Sequence, residues 1–248
     1  MSRDGDERPP VVGVDVGGTF TDVVLLADGD VTTVKVPTTD DQSAGVMQGL
    51  RRASSAADIE PSEIAAFSHA MTVSVNALLE SAGATTALVT TDGFRDVLEI
   101  GRQDRPELYD LDAEKPTPLV PRQRRFELDE RATVEEVERP VDEREVEALA
   151  DELAEGEIES VAVCLLLANA QPENERRAVE ILRDRLDVPV SASHEVLAEF
   201  REYERTSTTV VDAYVRPPID RYLARLDERA TAAGVPTPRI MQSNGGIA

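Results

Sequence analysis

An α/β chain organised around a mixed sheet follows from three features of the sequence. The chain opens with three strand-like apolar runs, Val11–Val16, Asp22–Ala27 and Val31–Val36. The second and third are joined by Asp28-Gly29, a pair that supplies the left-handed residues of a tight hairpin turn. Strand-like and helix-like patterns then alternate, which after an antiparallel start gives a sheet of mixed direction with helices packed on it. No fixed-period repeat and no low-complexity linker interrupts the 248 residues.

After the opening triplet, residues 43–53 read as a short helix. Ser74–Ala82 reads as another, with Val75, Leu78, Leu79 and Ala82 on one face and Gly83 as its C-cap. Ala87–Thr91 is a short buried strand, and Gly93–Leu98 leads into a Pro-containing, loop-rich section through residue 121. Asp142 and Glu145 start a helix in the manner of a capping box; Val146, Leu149 and Leu153 form its apolar stripe and Gly156 ends it. Ser160–Leu167 is an apolar strand. Pro172 opens a helix carrying Val179, Leu182 and Leu186, and Val188–Ser191 is a further strand. A long helix is expected from Arg216 or Pro217 to Ala233, carrying Ile219, Tyr222, Leu223, Leu226 and Ala230 before Gly234. Arg239–Gln242 is a last strand, entering Ser243-Asn244-Gly245-Gly246.

Hydrophobic residues make up 41% of the chain, enough for a core of ordinary size; with 4% aromatics and no Trp, aliphatic residues must fill it. The 49 acidic residues outnumber the 26 Lys and Arg, for a net charge of −23. Such a surface repels nucleic acid and anionic membranes, whose binding rests on cation–phosphate contacts, so both are excluded as partners. The acid is spread along the chain, which fits a halophilic surface better than an acidic tail that binds a partner. Cys164 is the only cysteine and lies in VAVCLLL, which excludes a disulfide framework and reads as core filler. Val161–Ala168 is the longest apolar run and is too short to cross a bilayer, and MSRDGDERPP lacks an apolar signal core. A soluble, cytoplasmic protein is expected.

The stretch VVGVDVGGTFTDVVLL, residues 11–26, interrupts a buried run with a carboxylate, two glycines and a hydroxyl. A phosphate-binding loop needs exposed backbone N–H groups, no obstructing side chain and a carboxylate for Mg²⁺. Asp15, Gly17-Gly18 and Thr19 meet those needs. GxxxxGK[ST] is absent, and neither of the two lysines, Lys35 and Lys115, lies near a Gly-rich loop, which excludes a Walker A site. A strand follows the glycines where a Rossmann fingerprint requires a helix. A hairpin whose tip cradles phosphate is instead the arrangement of actin-like ATPases and sugar kinases. The same residues also fit a plain Gly-Gly hairpin with Asp15 as a turn carboxylate, and the motif alone does not choose between the two.

Seven separated segments occur in one order: VGVDVGGTFTDVVLL, KVPTT (35–39), TVSVNALLE (72–80), ALVTTDGFRDVLEIGRQDRPELYDL (87–111), SHEV (193–196), EFREYERTSTTVVDAYVRPPIDRYL (199–223) and MQSNGGIA (241–248). In these segments the chain resembles the hydantoinase/oxoprolinase family, which includes N-methylhydantoinase A, 5-oxoprolinase and β-type subunits of acetone carboxylase. The resemblance implies an actin-like ATPase (ribonuclease H-like) lobe and ATP-dependent chemistry, with Mg²⁺, at the carbonyl of a cyclic amide or ketone. It implies that residues 9–190 are an N-terminal domain and residues 191–248 the start of a core domain. By position in the family's motifs, Asp15 orients Mg²⁺ through water, while Gly17, Gly18 and Thr19 contact phosphate, with Thr21 and Asp22 closing the motif and Asp22 a supporting carboxylate. Thr72 and Asn76 fall in a segment near the nucleotide. Arg95, Arg102 and Arg105, with Arg201 and Arg205, supply guanidiniums suited to an anionic group.

The sequence departs from the family pattern at His69-Ala70-Met71-Thr72, where His-Gly-Thr-Thr is usual, and at Pro172-Glu173-Asn174-Glu175, where the third residue is usually His. The remaining histidines, His69 and His194, have no metal-ligand spacing and are expected to be packed or hydrogen-bonded. No second Asp-Gly-Gly-Thr-type loop follows SNGG, so a partner subunit or further core is expected to complete the nucleotide cleft, and the chain alone is expected to be inactive.

Overall fold

In the computed structural model, which describes residues 9–104, 106–110, 112–242 and 246, the chain opens on the expected antiparallel triplet. The strands are β1 (Val11–Val16), β2 (Phe20–Ala27) and β3 (Asp30–Pro37). Side chains alternate between faces: Val12, Val14 and Val16 of β1 are buried, while Val11 and Asp15 face outward. Asp28 and Gly29 both have positive φ, 52° and 84°, giving the turn the handedness that strand twist requires. Helix α1 (Gln42–Ala56) is N-capped by Asp41, whose Oδ1 accepts from Ser43 Oγ at 2.6 Å and the Ala44 N–H at 3.2 Å. These bonds, the Ser43 bond first, hold the Asp41 carboxyl below the usual carboxylate range. Strand β4 (Ala66–Met71) lies parallel to β1, and helix α2 (Val73–Leu79) follows.

Helix α2 differs from expectation in its orientation. Ala77 is its buried residue, while Val75 and Leu79 are exposed. Gly83 is no helix cap: a Cβ there would lie 2.0 Å from Tyr214 Cε1, so the glycine is required by the ring packed on it.

Residues Gly83–Pro217 form one of two compact units; Met1–Ala82 and Pro218–Ala248 form the other. In the Gly83–Pro217 unit, β5 (Thr86–Thr91) is buried along its length and is followed by the single turn α3 (Val97–Ile100). Strands β6 (Arg125–Leu128), β7 (Arg131–Ala132) and β8 (Val137–Arg139) come next, short elements within the section that the sequence reading left without strands. Helix α4 (Glu143–Glu155) buries Val146, Leu149 and Leu153 as expected. Asp142 caps it by accepting the Arg144 N–H at 3.0 Å, but Glu145 accepts the Asp129 N–H, so no capping box closes.

Strand β9 (Ser160–Cys164) stops before its apolar run does. The Leu165 N–H turns to the Glu175 carboxylate and the Leu166 N–H to the Thr91 hydroxyl, both at 2.8 Å, which removes them from the ladder. Helix α5 (Glu173–Arg185), strand β10 (Val190–Ala192) and the turn α6 (Ser193–Val196) complete a parallel sheet ordered β10-β9-β5-β6. Asn174 donates to Glu130 and the Arg139 carbonyl and accepts the Val141 N–H. Buried Glu175 accepts from Ser193 and His194, whose Nδ1 lies 2.7 Å from Oε1.

Helix α7 (Glu202–Ala232) begins well before Arg216 and carries Pro217 and Pro218 in its interior. Each proline lacks the N–H that would meet the carbonyl four residues back, which frees Ala213 and Tyr214. Both carbonyls are satisfied from outside the helix: Ser160 Oγ donates to Ala213 O at 2.6 Å, and the Ala84 N–H donates to Tyr214 O at 2.9 Å. Strand β11 (Arg239–Ile240) then pairs with β4, shorter than the expected Arg239–Gln242; Ser243–Gly245 of the last motif lie outside the described residues.

In the other unit the five strands are ordered β11-β4-β1-β2-β3, with β2 antiparallel to both neighbours and β4 and β11 parallel to β1. Val46, Met47 and Leu50 of α1 and Tyr222, Leu226 and Ala230 of α7 pack with Val12, Val14, Val16, Val23 and Leu25. On the outward face of β1–β3, Val11, Val24 and Val31 are exposed beside Asp15 and Asp22.

Candidate functional site

The β1–β2 hairpin tip, Gly17-Gly18-Thr19, is braced from behind. The Gly17 N–H donates to Phe20 O at 3.0 Å, the Thr38 N–H to Thr19 O at 3.0 Å, and Thr38 Oγ1 to Gly17 O at 2.8 Å. Thr72 ties down the end of β1, donating from its N–H and its hydroxyl to Val16 O at 3.3 and 3.0 Å. The backbone N–H groups of Gly18 and Thr19 make no hydrogen bond to the described protein, and both residues are exposed. A Cβ placed on Gly18 would meet nothing within 4 Å, while one on Gly17 would press on Phe20 O at 3.2 Å. The tip therefore presents two unengaged donors and a hydroxyl on a fixed backbone, the combination an anion with several oxygens accepts.

Asp15 sits directly opposite Asp22 in the β1–β2 register, and Asp22 opposite Lys35 in the β2–β3 register. All three are exposed, and Lys35 Nζ is 2.7 Å from Asp22 Oδ2 and 5.2 Å from the Phe20 ring centroid. This corrects the reading that no lysine lies near the loop: the strand register brings Lys35 to it from fifteen or so residues along the chain. Lys35 and Thr38 are the residues sequence reasoning missed here, both within KVPTT. Asp22 is occupied by Lys35, which leaves Asp15 as the carboxylate without a cation. Thr21 points the other way. It is fully buried, with Oγ1 3.4 Å from Thr38 Oγ1, and supports the loop without reaching its open side. Asn76 is one helical turn beyond Thr72, its N–H bonded to Thr72 O.

The arginines belong to the Gly83–Pro217 unit and serve different ends. Arg205 is buried, bonded to Asn169 Oδ1, Glu199 O and Leu165 O, a structural clamp with no path to a ligand. Arg95 donates to Arg125 O at 2.6 Å, within the bonds that hold the buried Arg125 guanidinium. Arg102 and Arg201 meet at Glu204: Arg102 Nε is 2.8 Å from Glu204 Oε1 and Arg201 Nη1 is 3.8 Å away. The Arg102 hydrogen bond lowers the Glu204 pKa. Arg105 lies outside the described residues. The fold thus brings GRQD and REYE together at a cavity of about 610 Å³ lined by Arg102, Tyr203 and Glu204.

Residues 11–186 match the family model of the hydantoinase/oxoprolinase N-terminal region. An uncharacterised protein of Methanocaldococcus jannaschii is 39% identical over 244 residues, covering 95% of this chain and 35% of that protein. The caprolactamase subunit alpha of Pseudomonas jessenii is 38% identical over 248 residues, covering 96% of this chain and 36% of the subunit. The crystal structure of the ATP-dependent caprolactamase from Pseudomonas jessenii superposes with a TM-score of 0.85 at 35% identity, over 96% of this chain and 36% of that one. The chain therefore spans about a third of the length of these relatives.

Proposed function

This chain belongs to the hydantoinase/oxoprolinase family, and from that premise we propose that it is the N-terminal part of an ATP-dependent hydrolase of cyclic amides, with the ATP phosphates at Gly17–Thr19. The observation that carries the reading is the pair of unengaged N–H groups at Gly18 and Thr19 beside the exposed Asp15 carboxylate. The strand order β11-β4-β1-β2-β3 with only β2 reversed supports an actin-like (ribonuclease H-like) lobe. On this reading residues 9–190 form the N-terminal domain and residues 191–248 begin the core domain. The Pseudomonas relative is a subunit, which supports a partner subunit or further core that completes the cleft.

The residues fit the nucleotide and its metal. No group of three or more metal-ligating side chains occurs among the described residues, so Asp15 would hold Mg²⁺ through water, the phosphates supplying the remaining ligands. Lys35, beside the tip, adds a cation within reach of phosphate. When bound, Mg²⁺-ATP supplies a phosphoryl group to the amide oxygen, which removes the resonance that protects an unstrained cyclic amide from water. The protein's part is positioning and charge neutralisation: Thr38 and Thr72 fix the tip, Gly18 and Thr19 orient oxygens, and Asp15 fixes the metal. No helix among the described residues is long and apolar enough to cross a membrane, and the reading places the enzyme in the cytoplasm.

Titration with Mg²⁺-ATP tests the site. Saturable binding that Asp15→Asn removes is expected; equal binding by the variant would return the motif to a plain hairpin.

A further inference from the structure

Asp15, Asp22 and Lys35 stand in one row across β1, β2 and β3, each directly opposite the next and all exposed on the outward face. The Lys35 ammonium covers both oxygens of Asp22, 2.6 Å from Oδ1 and 2.7 Å from Oδ2. Asp15 makes no ion pair among the described residues. Two carboxylates face to face are a pair that a divalent cation can share, and Lys35 has taken one of them.

That hold is weak. The Lys35 and Asp22 side chains are 56% and 50% exposed, and an ion pair so open to water adds little. The ammonium also lies 5.2 Å from the centre of the Phe20 ring, and Phe20 directly follows Thr19, so the charge hangs beside the open N–H groups of the tip. A phosphate chain seated on Gly18 and Thr19 offers that ammonium several charged oxygens in place of the two on Asp22.

We propose that Lys35 is an exchangeable counter-ion, an inference that rests on the phosphate reading of the hairpin and adds its loading order. Without nucleotide, Lys35 occupies Asp22 and keeps a divalent cation off the Asp15–Asp22 pair. An arriving phosphate chain draws Lys35 away, which frees the Asp22 carboxylate beside Asp15 for the metal that comes with it. Metal and nucleotide are thus taken up together, and neither carboxylate is left facing the other without a cation.

The probes are Mn²⁺ alone, followed by its paramagnetic resonance, and Mg²⁺-ATP, followed by calorimetry, both with the 248-residue chain. Diffuse binding of Mn²⁺ to the acidic surface is common to all variants and cancels in the comparison. Lys35→Gln is expected to raise Mn²⁺ affinity severalfold and to lower Mg²⁺-ATP affinity about tenfold, the loss of one hydrogen bond to a charged group. Adding Asp22→Asn to Lys35→Gln should cancel the gain in Mn²⁺ affinity, because the carboxylate that the lysine masked is gone. Arg51→Gln, the same loss of charge on the exposed side of α1, should move neither affinity. Unchanged Mn²⁺ or Mg²⁺-ATP affinity in Lys35→Gln would overturn the exchange, as would equal shifts in Arg51→Gln or a Mn²⁺ gain that survives Asp22→Asn. If Asp15→Asn abolishes Mg²⁺-ATP binding while Lys35→Gln behaves as the parent, the nucleotide reading stands and the exchange falls. A parent chain that binds no Mg²⁺-ATP removes both.

Discussion

Asp15 and Asp22 are like charges directly opposite across two antiparallel strands, an arrangement that destabilises a sheet, and Lys35 relieves only Asp22. Asp15→Asn is therefore expected to leave melting temperature unchanged or to raise stability by roughly 0.2–1 kcal/mol. In the complete enzyme the same change should lower ATP turnover by roughly 10²–10³-fold, by analogy with loss of one preorganised electrostatic contact. Thermal melts and turnover assays on one preparation check both signs; a variant that is less stable and fully active contradicts the assignment. His69 makes a different prediction. It is fully buried, with Nε2 2.7 Å from the Tyr222 hydroxyl, and burial pushes its pKa down to about 4 from 6.5. Between those values the unfolded chain binds the proton and the folded one does not, so stability falls as pH drops through that window. The loss approaches roughly 3 kcal/mol near pH 4. Urea melts from pH 7 to 4 should show His69→Gln, which keeps an acceptor for Tyr222, with a shallower decline than the parent chain. Parallel curves would remove His69 from the account. Much of this site was readable in VGVDVGGTFTD, because strand, carboxylate and glycines are contiguous there. Lys35 and Thr38 were not, since only the β2–β3 register carries them to the tip.

The proline pair of α7 gives the sharpest test of an element. Ser160→Ala removes the donor to Ala213 O in a buried setting and is expected to cost about 1–3 kcal/mol, the penalty of an orphaned carbonyl. Pro217→Ala restores an N–H four residues on, so in that background Ser160→Ala should cost markedly less, with a coupling of roughly 0.5–3 kcal/mol. Additive losses in the double-mutant cycle would refute the compensation. The same feature explains why the start of α7 escaped sequence reasoning. Local rules put two prolines at a helix start, and the donors that make them tolerable come from β9 and from Ala84, far along the chain. Helices α4 and α5 were readable because an apolar stripe at helical spacing is local information. Helix α2 was misread in orientation: Ala77 is its buried residue, while Val75 and Leu79, which the apolar face was read from, are exposed. Strands β7 and β8 are two and three residues long and too short to show a period, and the alternation of β6, Arg-Phe-Glu-Leu, spans only four residues and places a charged residue, Arg125, in the buried position.

With a net charge of −23 the folded chain repels itself, and salt should stabilise it. The Debye length shrinks from about 10 Å at 0.1 M to about 3 Å at 1 M salt, so melting temperature is expected to climb through molar KCl. A flat series argues against a halophilic surface. A second expectation concerns turnover. The hairpin tip offers donors to one side of a phosphate chain, whereas phosphoryl transfer needs charge stabilised around the transferring group. The 248 residues alone are expected to bind Mg²⁺-ATP without hydrolysing it, and addition of the remaining core or partner should start turnover. Hydrolysis by the purified chain that disappears in Asp15→Asn would contradict this.

The two missing rungs in α7 also bear on the order in which the molecule assembles. A helix lengthens by zipping, each new residue gaining the hydrogen bond that offsets the ordering of its backbone. At Pro217 and Pro218 zipping from the N-terminal side reaches two residues with nothing to donate, and the last carbonyls behind them stay open to water. They close only when Ser160 and Ala84 arrive, that is, once β9 and the segment leading into β5 are in place. The hydrogen bonding of the long helix is therefore complete only where the parallel sheet is in place, so its middle turns draw on the sheet for what an ordinary helix supplies to itself.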